Sequence, residues 1–186
     1  MTKIGDPTLR LPGLRVLRDL FRGLDADMVE TFRYVEPVEE NLGAYSIEFM
    51  RLLQSSCTGI DSTFRLWYRL MIHEKVEVPD VDVDRLGFGG YFPLLELLGV
   101  EPTDTLELPR NPSLLIAPFG EWRGKESIPA WWTAHNKTKH ELDRITFKGA
   151  TMGNALHGLG GFYLALNDMG TISTHPVGTS VFKPLF

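Results

Sequence analysis

The sequence predicts an all-α fold: an antiparallel helical bundle around one long central helix, with at most a minor β-hairpin. Three observations carry this expectation. Apolar residues step by three or four from Leu42 through Tyr45, Phe49, Leu53, Cys57, Ile60, Phe64 and Trp67 to Met71, with no proline inside. A seam of that length needs partners along its whole face, as in a bundle core. A second segment, 147–169, repeats the spacing with Met152, Leu156, Leu159, Tyr163 and Leu166. Finally, the chain of 186 residues is 43% hydrophobic and 23% charged, which is globular composition at a length that can bury a sizeable core. A single domain over 1–186 is expected, with 1–38 as a helical N-terminal extension and 171–186 as an extended tail.

The elements follow in order. Leu14, Leu17, Phe21 and Leu24 share one side of a short helix that starts after Pro12-Gly13, with Arg15, Arg18 and Arg22 on another. That basic face can meet phosphate or anionic lipid, or be solvated as charged stripes usually are. The central helix is expected from about Glu39 to His73. Gly43 and Gly59 each cost it about 1 kcal/mol relative to alanine, so a bend or close contact is expected at either. Cys57 falls on the seam and reads as a small buried apolar residue rather than a nucleophile.

Between Glu74 and Asp84 the pattern changes to valines interleaved with acids, which reads as a short strand or an extended connector. Asp80, Asp82 and Asp84 do not make a calcium loop, because Arg85 stands at the obligatory glycine position and Tyr91 at the bidentate glutamate. Gly87-Phe88-Gly89-Gly90 lacks the spacing and the lysine of a phosphate loop. A short helix is expected over Tyr91–Leu98, ending at Gly99. Leu106–Leu108 and Leu114–Ala117, separated by Pro109-Arg110-Asn111-Pro112, can pair as a hairpin. Ser127 reads as the N-cap of a helix running to about Asp143, with Pro129 in its first turn. In the segment 147–169, Gly149, Gly153, Gly158, Gly160 and Gly161 make a helix that is poor by propensity but able to approach the central helix closely.

Composition excludes several classes. The net charge of -5 argues against a general nucleic-acid coat, while leaving room for a local basic patch. No apolar run approaches the roughly 20 residues of a membrane span. The opening residues lack the apolar region of a secretory signal, and the one cysteine permits no intrachain disulfide. A cytoplasmic protein is expected.

One segment carries the chemistry: Trp131-Trp132-Thr133-Ala134-His135-Asn136-Lys137-Thr138-Lys139-His140. On a helix Asn136, Lys139, His140 and Asp143 form one polar stripe. Metal binding is disfavoured, because His135 and His140 diverge by about 140° on a regular helix. The His140-Glu141 start of a zincin motif meets Arg144 where a second histidine belongs. No nucleophile elbow or Cys–His pairing points to a hydrolase. The Asn136-Lys137-Thr138 triplet is a chance match to a glycosylation site. Phosphate chemistry fits better, since lysine, asparagine and histidine on one face can hold a phosphodiester and move protons near neutral pH.

With Ala44-Tyr45-Ser46-Ile47-Glu48-Phe49, Pro118-Phe119 and Trp122, and the following glycine-rich helix, this segment resembles the HEPN-like superfamily of prokaryotic helical proteins over about residues 39–169. The resemblance implies a bundle, commonly dimeric, in defence or stress response. Its members bind RNA, nucleotides or a protein partner such as an antitoxin, or act as metal-independent ribonucleases; no cofactor is implied. The family motif is arginine, a polar residue, variable residues and histidine; it falls on His135, Asn136 and His140. Histidine therefore replaces arginine, and imidazole neither clamps phosphate bidentately nor stays charged. Lys137, Lys139 or Arg144 can supply the lost charge, and Trp132 joins them on the substrate side. In a toxin-like ribonuclease, His140 at a dimer interface would act as general base or acid, Asn136 would orient it or the phosphate, and Lys139 would stabilise charge. The reading therefore centres on a binding module, with ribonuclease activity as the alternative. A homodimer is expected to bury part of the aromatic surface around Trp131 and Trp132.

Overall fold

A computed structural model describes residues 12–98, 100–101, 103–140, 146–167 and 181–184. Among these residues five helices pack together, with a small antiparallel sheet at one side. The first helix, α1 (Pro12–Thr31), opens on the proline whose missing N–H costs nothing in a first turn. It runs two turns beyond the expected end, because Met28 and Phe32 continue the buried spacing of Leu14, Leu17, Phe21 and Leu24.

The central helix, α2, spans Ile47–His73 and so begins eight residues later than Glu39. Glu39–Asn41 form a separate 3-10 turn, Gly43 follows, and Ser46 adopts an extended backbone whose Oγ accepts the Phe49 N–H at 3.0 Å. This serine is the N-cap that stops the helix from running further back. Leu42, Ala44 and Tyr45 therefore lie off the helix. Their segment does other work: the Leu42 and Ala44 carbonyls accept from Gly153 N and Met152 N at 3.0 and 2.8 Å. These are the first N–H groups of α5 (Met152–Asn167), which have no partner within their own helix.

From Phe49 to Met71 the seam is buried as expected, including Cys57, whose thiol pKa is pushed well up by burial. The glycines explain how α5 sits on α2. A Cβ at Gly59 would meet the Phe162 ring at 2.4 Å, and one at Gly158 would meet Leu53 at 3.1 Å. The Trp67 indole N–H closes the far end of this contact by donating to the Ala165 carbonyl at 3.3 Å. The helix is shorter than 147–169 at its start, because Thr146–Gly149 form a 3-10 turn; residues 168–169 lie outside the described ones.

After α2 the acidic connector forms no strand among its described residues. It is extended, then makes 3-10 turns at Val83–Arg85 and Phe88–Tyr91 before α3 (Phe92–Leu98). The Arg65 guanidinium pins it by donating to the Val83 and Leu86 carbonyls. The expected hairpin is present as β1 (Leu106–Leu108) and β2 (Asn111–Ile116), with Leu106 opposite Ile116 and a register shift after Glu107. Part of the tail, β3 (Lys183–Pro184), adds to the free edge of β1, giving the order β2-β1-β3.

The fourth helix, α4, covers Ala130–His140. Ser127 is not its N-cap: its hydroxyl accepts from Arg123 N at 2.5 Å, and the helix starts after Pro129. The Glu121 carboxylate instead accepts the Ala130 N–H at 2.9 Å, placing negative charge at the helix N-terminus. The expected end at Asp143 lies outside the described residues.

Candidate functional site

Helix α4 has two faces of opposite character. Trp131, Trp132, Ala134, His135 and Thr138 are buried, while Asn136, Lys137, Lys139 and His140 are exposed. The division follows from helical geometry, because positions 131, 135 and 138 recur on one side and 133, 136, 137 and 140 on the other.

The buried face anchors the helix. The Trp132 ring stacks on Phe88 at a centroid distance of 4.0 Å, and Phe88 in turn stacks on Trp122 at 4.3 Å. The Trp131 indole N–H donates to the Pro118 carbonyl at 2.7 Å. Both tryptophans are thus spent within the chain, at 3% and 8% exposure. The aromatic surface expected for a dimer is therefore buried within the chain, and Trp132 lies on the buried face of the helix rather than the exposed one. From α2, the Gln54 side-chain amide donates to the Thr138 carbonyl at 3.3 Å, fixing the last turn.

His135 belongs to the interior. It is 6% exposed, its ring centroid lies 5.2 Å from that of Trp132, and Nδ1 is buried with no hydrogen-bond partner among the described residues. Burial holds its pKa down to about 4, helped by the charges of Lys139 and His140 and opposed by Asp61. At neutral pH the imidazole is uncharged. It shares a helix with His140 but not a face, as the divergence of about 140° requires.

The exposed end of the helix gathers Asn136, Lys137, Lys139 and His140 in its last two turns, where positive charge also complements the carbonyl end of the helix dipole. Among the described residues neither lysine has an ion-pair partner, in contrast to Arg33, Arg51, Arg65, Arg69 and Arg110. Arg144 lies outside the described residues. No group of three or more histidine, cysteine, aspartate or glutamate side chains converges among the described residues. Nor is any described helix long and apolar enough to cross a membrane.

Sequence reading misses one polar network beside this helix. Tyr91 donates its phenol hydrogen to Asp61 Oδ1 at 2.7 Å, and Arg65 Nε donates to Asp61 Oδ2 at 2.8 Å. Burial first, then this bond and the Asp61 charge, raise the Tyr91 pKa. The spacing of Asp61 and Arg65, four apart on a helix, was the available signal; that Tyr91 closes the set depends on tertiary packing. Arg65 is fully engaged with Asp61 and the connector carbonyls, so it does not replace the motif arginine. Comparison with known protein families, with curated proteins and with solved structures finds no match to the chain.

Proposed function

We propose that the chain is a HEPN-like cytoplasmic module whose α4 surface binds a phosphate-bearing ligand, RNA or a nucleotide, in prokaryotic defence or stress response. One observation carries this reading: Asn136, Lys137, Lys139 and His140 occupy one exposed helix end, with both lysines unpaired among the described residues. Two ammonium groups, an amide and an imidazole suit a phosphate ligand, because each can donate a hydrogen bond to its oxygens. The buried, neutral His135 favours binding over cleavage, since the motif position that should carry a permanent cation carries none at neutral pH.

The alternative is a metal-independent endoribonuclease, favoured by the exposure of His140 one turn from Asn136. In that reaction a ribose 2′-hydroxyl attacks the adjacent phosphorus, His140 takes the hydroxyl proton, and the 5′-oxygen leaves as the P–O bond breaks.

A fluorescently labelled single-stranded RNA and a labelled nucleotide, titrated with the full chain from low to physiological salt, test the proposal. Affinity should fall with salt, and Lys137→Ala with Lys139→Ala should weaken it and flatten the salt dependence by about 0.7 per lost RNA phosphate contact. No affinity for either probe at low salt, or affinity indifferent to both lysines, overturns the reading. Cleavage that persists in EDTA and falls about 10²–10⁴-fold in His140→Ala would favour the nuclease instead.

A further inference from the structure

Phe88 is carried on the glycine-rich run Gly87-Phe88-Gly89-Gly90 and lies between two indoles. Its ring stacks on Trp122 at 4.3 Å and 19°, and on Trp132 at 4.0 Å and 21°. Three near-parallel rings therefore form one stack, with a slot one aromatic ring thick between the tryptophans. Two polar atoms beside this stack are buried with no partner among the described residues. One is Trp122 Nε1, on a fully buried side chain; the other is His135 Nδ1, whose ring centroid is 5.2 Å from that of Trp132. Native interiors leave few such groups unsatisfied, and a phenyl ring satisfies neither. Gly87 is equally unexplained by packing. It has an ordinary φ of -82°, and a Cβ there would meet nothing within 4 Å, so neither backbone nor space demands glycine. The chain is pinned on either side, where Arg65 donates to the Leu86 carbonyl at 3.0 Å and Tyr68 donates to the Gly90 carbonyl at 3.1 Å. Phe88 is thus carried on a short span between two fixed points.

We infer that Phe88 is a displaceable plug in a nucleobase site: when a purine nucleotide binds, rotation about Gly87 withdraws the phenyl ring and the base stacks between Trp122 and Trp132. The inference rests on the reading of α4 as a phosphate-binding surface and names the ligand of that surface. A purine is the flat occupant that fits. It stacks on both indoles as the phenyl ring does, and it also carries ring nitrogens and exocyclic groups to pair with the Trp122 N–H and the His135 ring. Lys139 lies two turns beyond Trp132 on nearly the same side of α4, about 10 Å along the axis. That places its ammonium within reach of the phosphates of a nucleotide whose base fills the slot. His135 occupies the turn between them; as a neutral imidazole it can donate to or accept from the base but does not clamp phosphate. In the closed state Phe88 competes with the base, so the observed affinity is reduced by the fraction of chains whose slot is open.

Calorimetric titration of the full chain with ADP and with inorganic pyrophosphate tests this, since both carry a diphosphate and only ADP carries a base. ADP should bind more tightly, and it alone should quench tryptophan emission. Phe88→Ala should tighten ADP by about tenfold and leave pyrophosphate unchanged, because the plug is gone. Gly87→Pro should weaken ADP, again without effect on pyrophosphate. Proline suits the φ at Gly87 and the extended backbone of Leu86, so it stiffens the hinge without refolding the turn. Lys139→Ala should weaken both ligands. Circular dichroism checks each variant, and if Phe88→Ala does not fold, Gly87→Pro decides alone. An adenine-containing single-stranded RNA, titrated in parallel, shows whether the base arrives free or on a chain; the same responses to both variants are expected from whichever binds. ADP and RNA affinities indifferent to Phe88 and Gly87 overturn the slot, while pyrophosphate binding that depends on Lys139 would leave the phosphate reading standing. Failure of all three ligands to bind either wild type or Phe88→Ala overturns both readings.

Discussion

Gly59 on α2 lies directly beneath the ring of Phe162 on α5, so close that a methyl group at Gly59 would sit 2.4 Å from the ring. The pair sets how near the two helices approach. Gly59→Ala removes a helix-propensity cost of about 1 kcal/mol but forces an aromatic ring in a packed interior to move, which costs about 1–3 kcal/mol. Net destabilisation is expected, with part of the loss recovered when Phe162→Leu is added. Urea unfolding of the two variants measures this; a Gly59→Ala chain more stable than wild type would show that the ring yields freely.

Phe64, fully buried one turn further along α2, lies within ring contact of Phe88, Tyr91, Phe119 and Trp122. It joins the central helix to the aromatic cluster that also holds Trp132. Phe64→Ala should cost about 3–5 kcal/mol. A denaturation midpoint that does not move would remove this residue from the core.

His135 predicts a pH dependence with a definite sign. Its pKa is about 4 in the fold against 6.5 for the free side chain, so the unfolded chain binds the extra proton between those values. Stability should be unaffected by this group above about pH 6.5 and should fall as the pH drops toward 4, by at most on the order of 3 kcal/mol. His135→Phe should remove that part of the slope. Parallel unfolding curves for the variant and wild type across this window would contradict the burial assigned to the ring.

The spacing of apolar residues determined the helical class, the burial of the α2 seam and its glycine-mediated contact with α5. Each depends on local periodicity and on the missing side chain of glycine, and both can be read along the chain. The hairpin was also legible from its two apolar runs, though not β3, which pairs Leu106 with Pro184 and Glu107 with Lys183 from a distant part of the chain. Helix starts were less legible, because the choice between Glu39 and Ile47 rested on whether Ser46 could bond the Phe49 N–H, and the choice between Ser127 and Ala130 rested on Glu121 arriving to take the first N–H. At the candidate site the sequence by itself determined a polar stripe on one helix. Only tertiary structure decided that Trp132 and His135 face inward, because their burial comes from Phe88 stacking over the indole and the packing of neighbouring helices. Charge follows from that placement: water stabilises an imidazolium and a packed interior does not, so the His135 ring is neutral while Lys137 and Lys139 stay exposed to solvent.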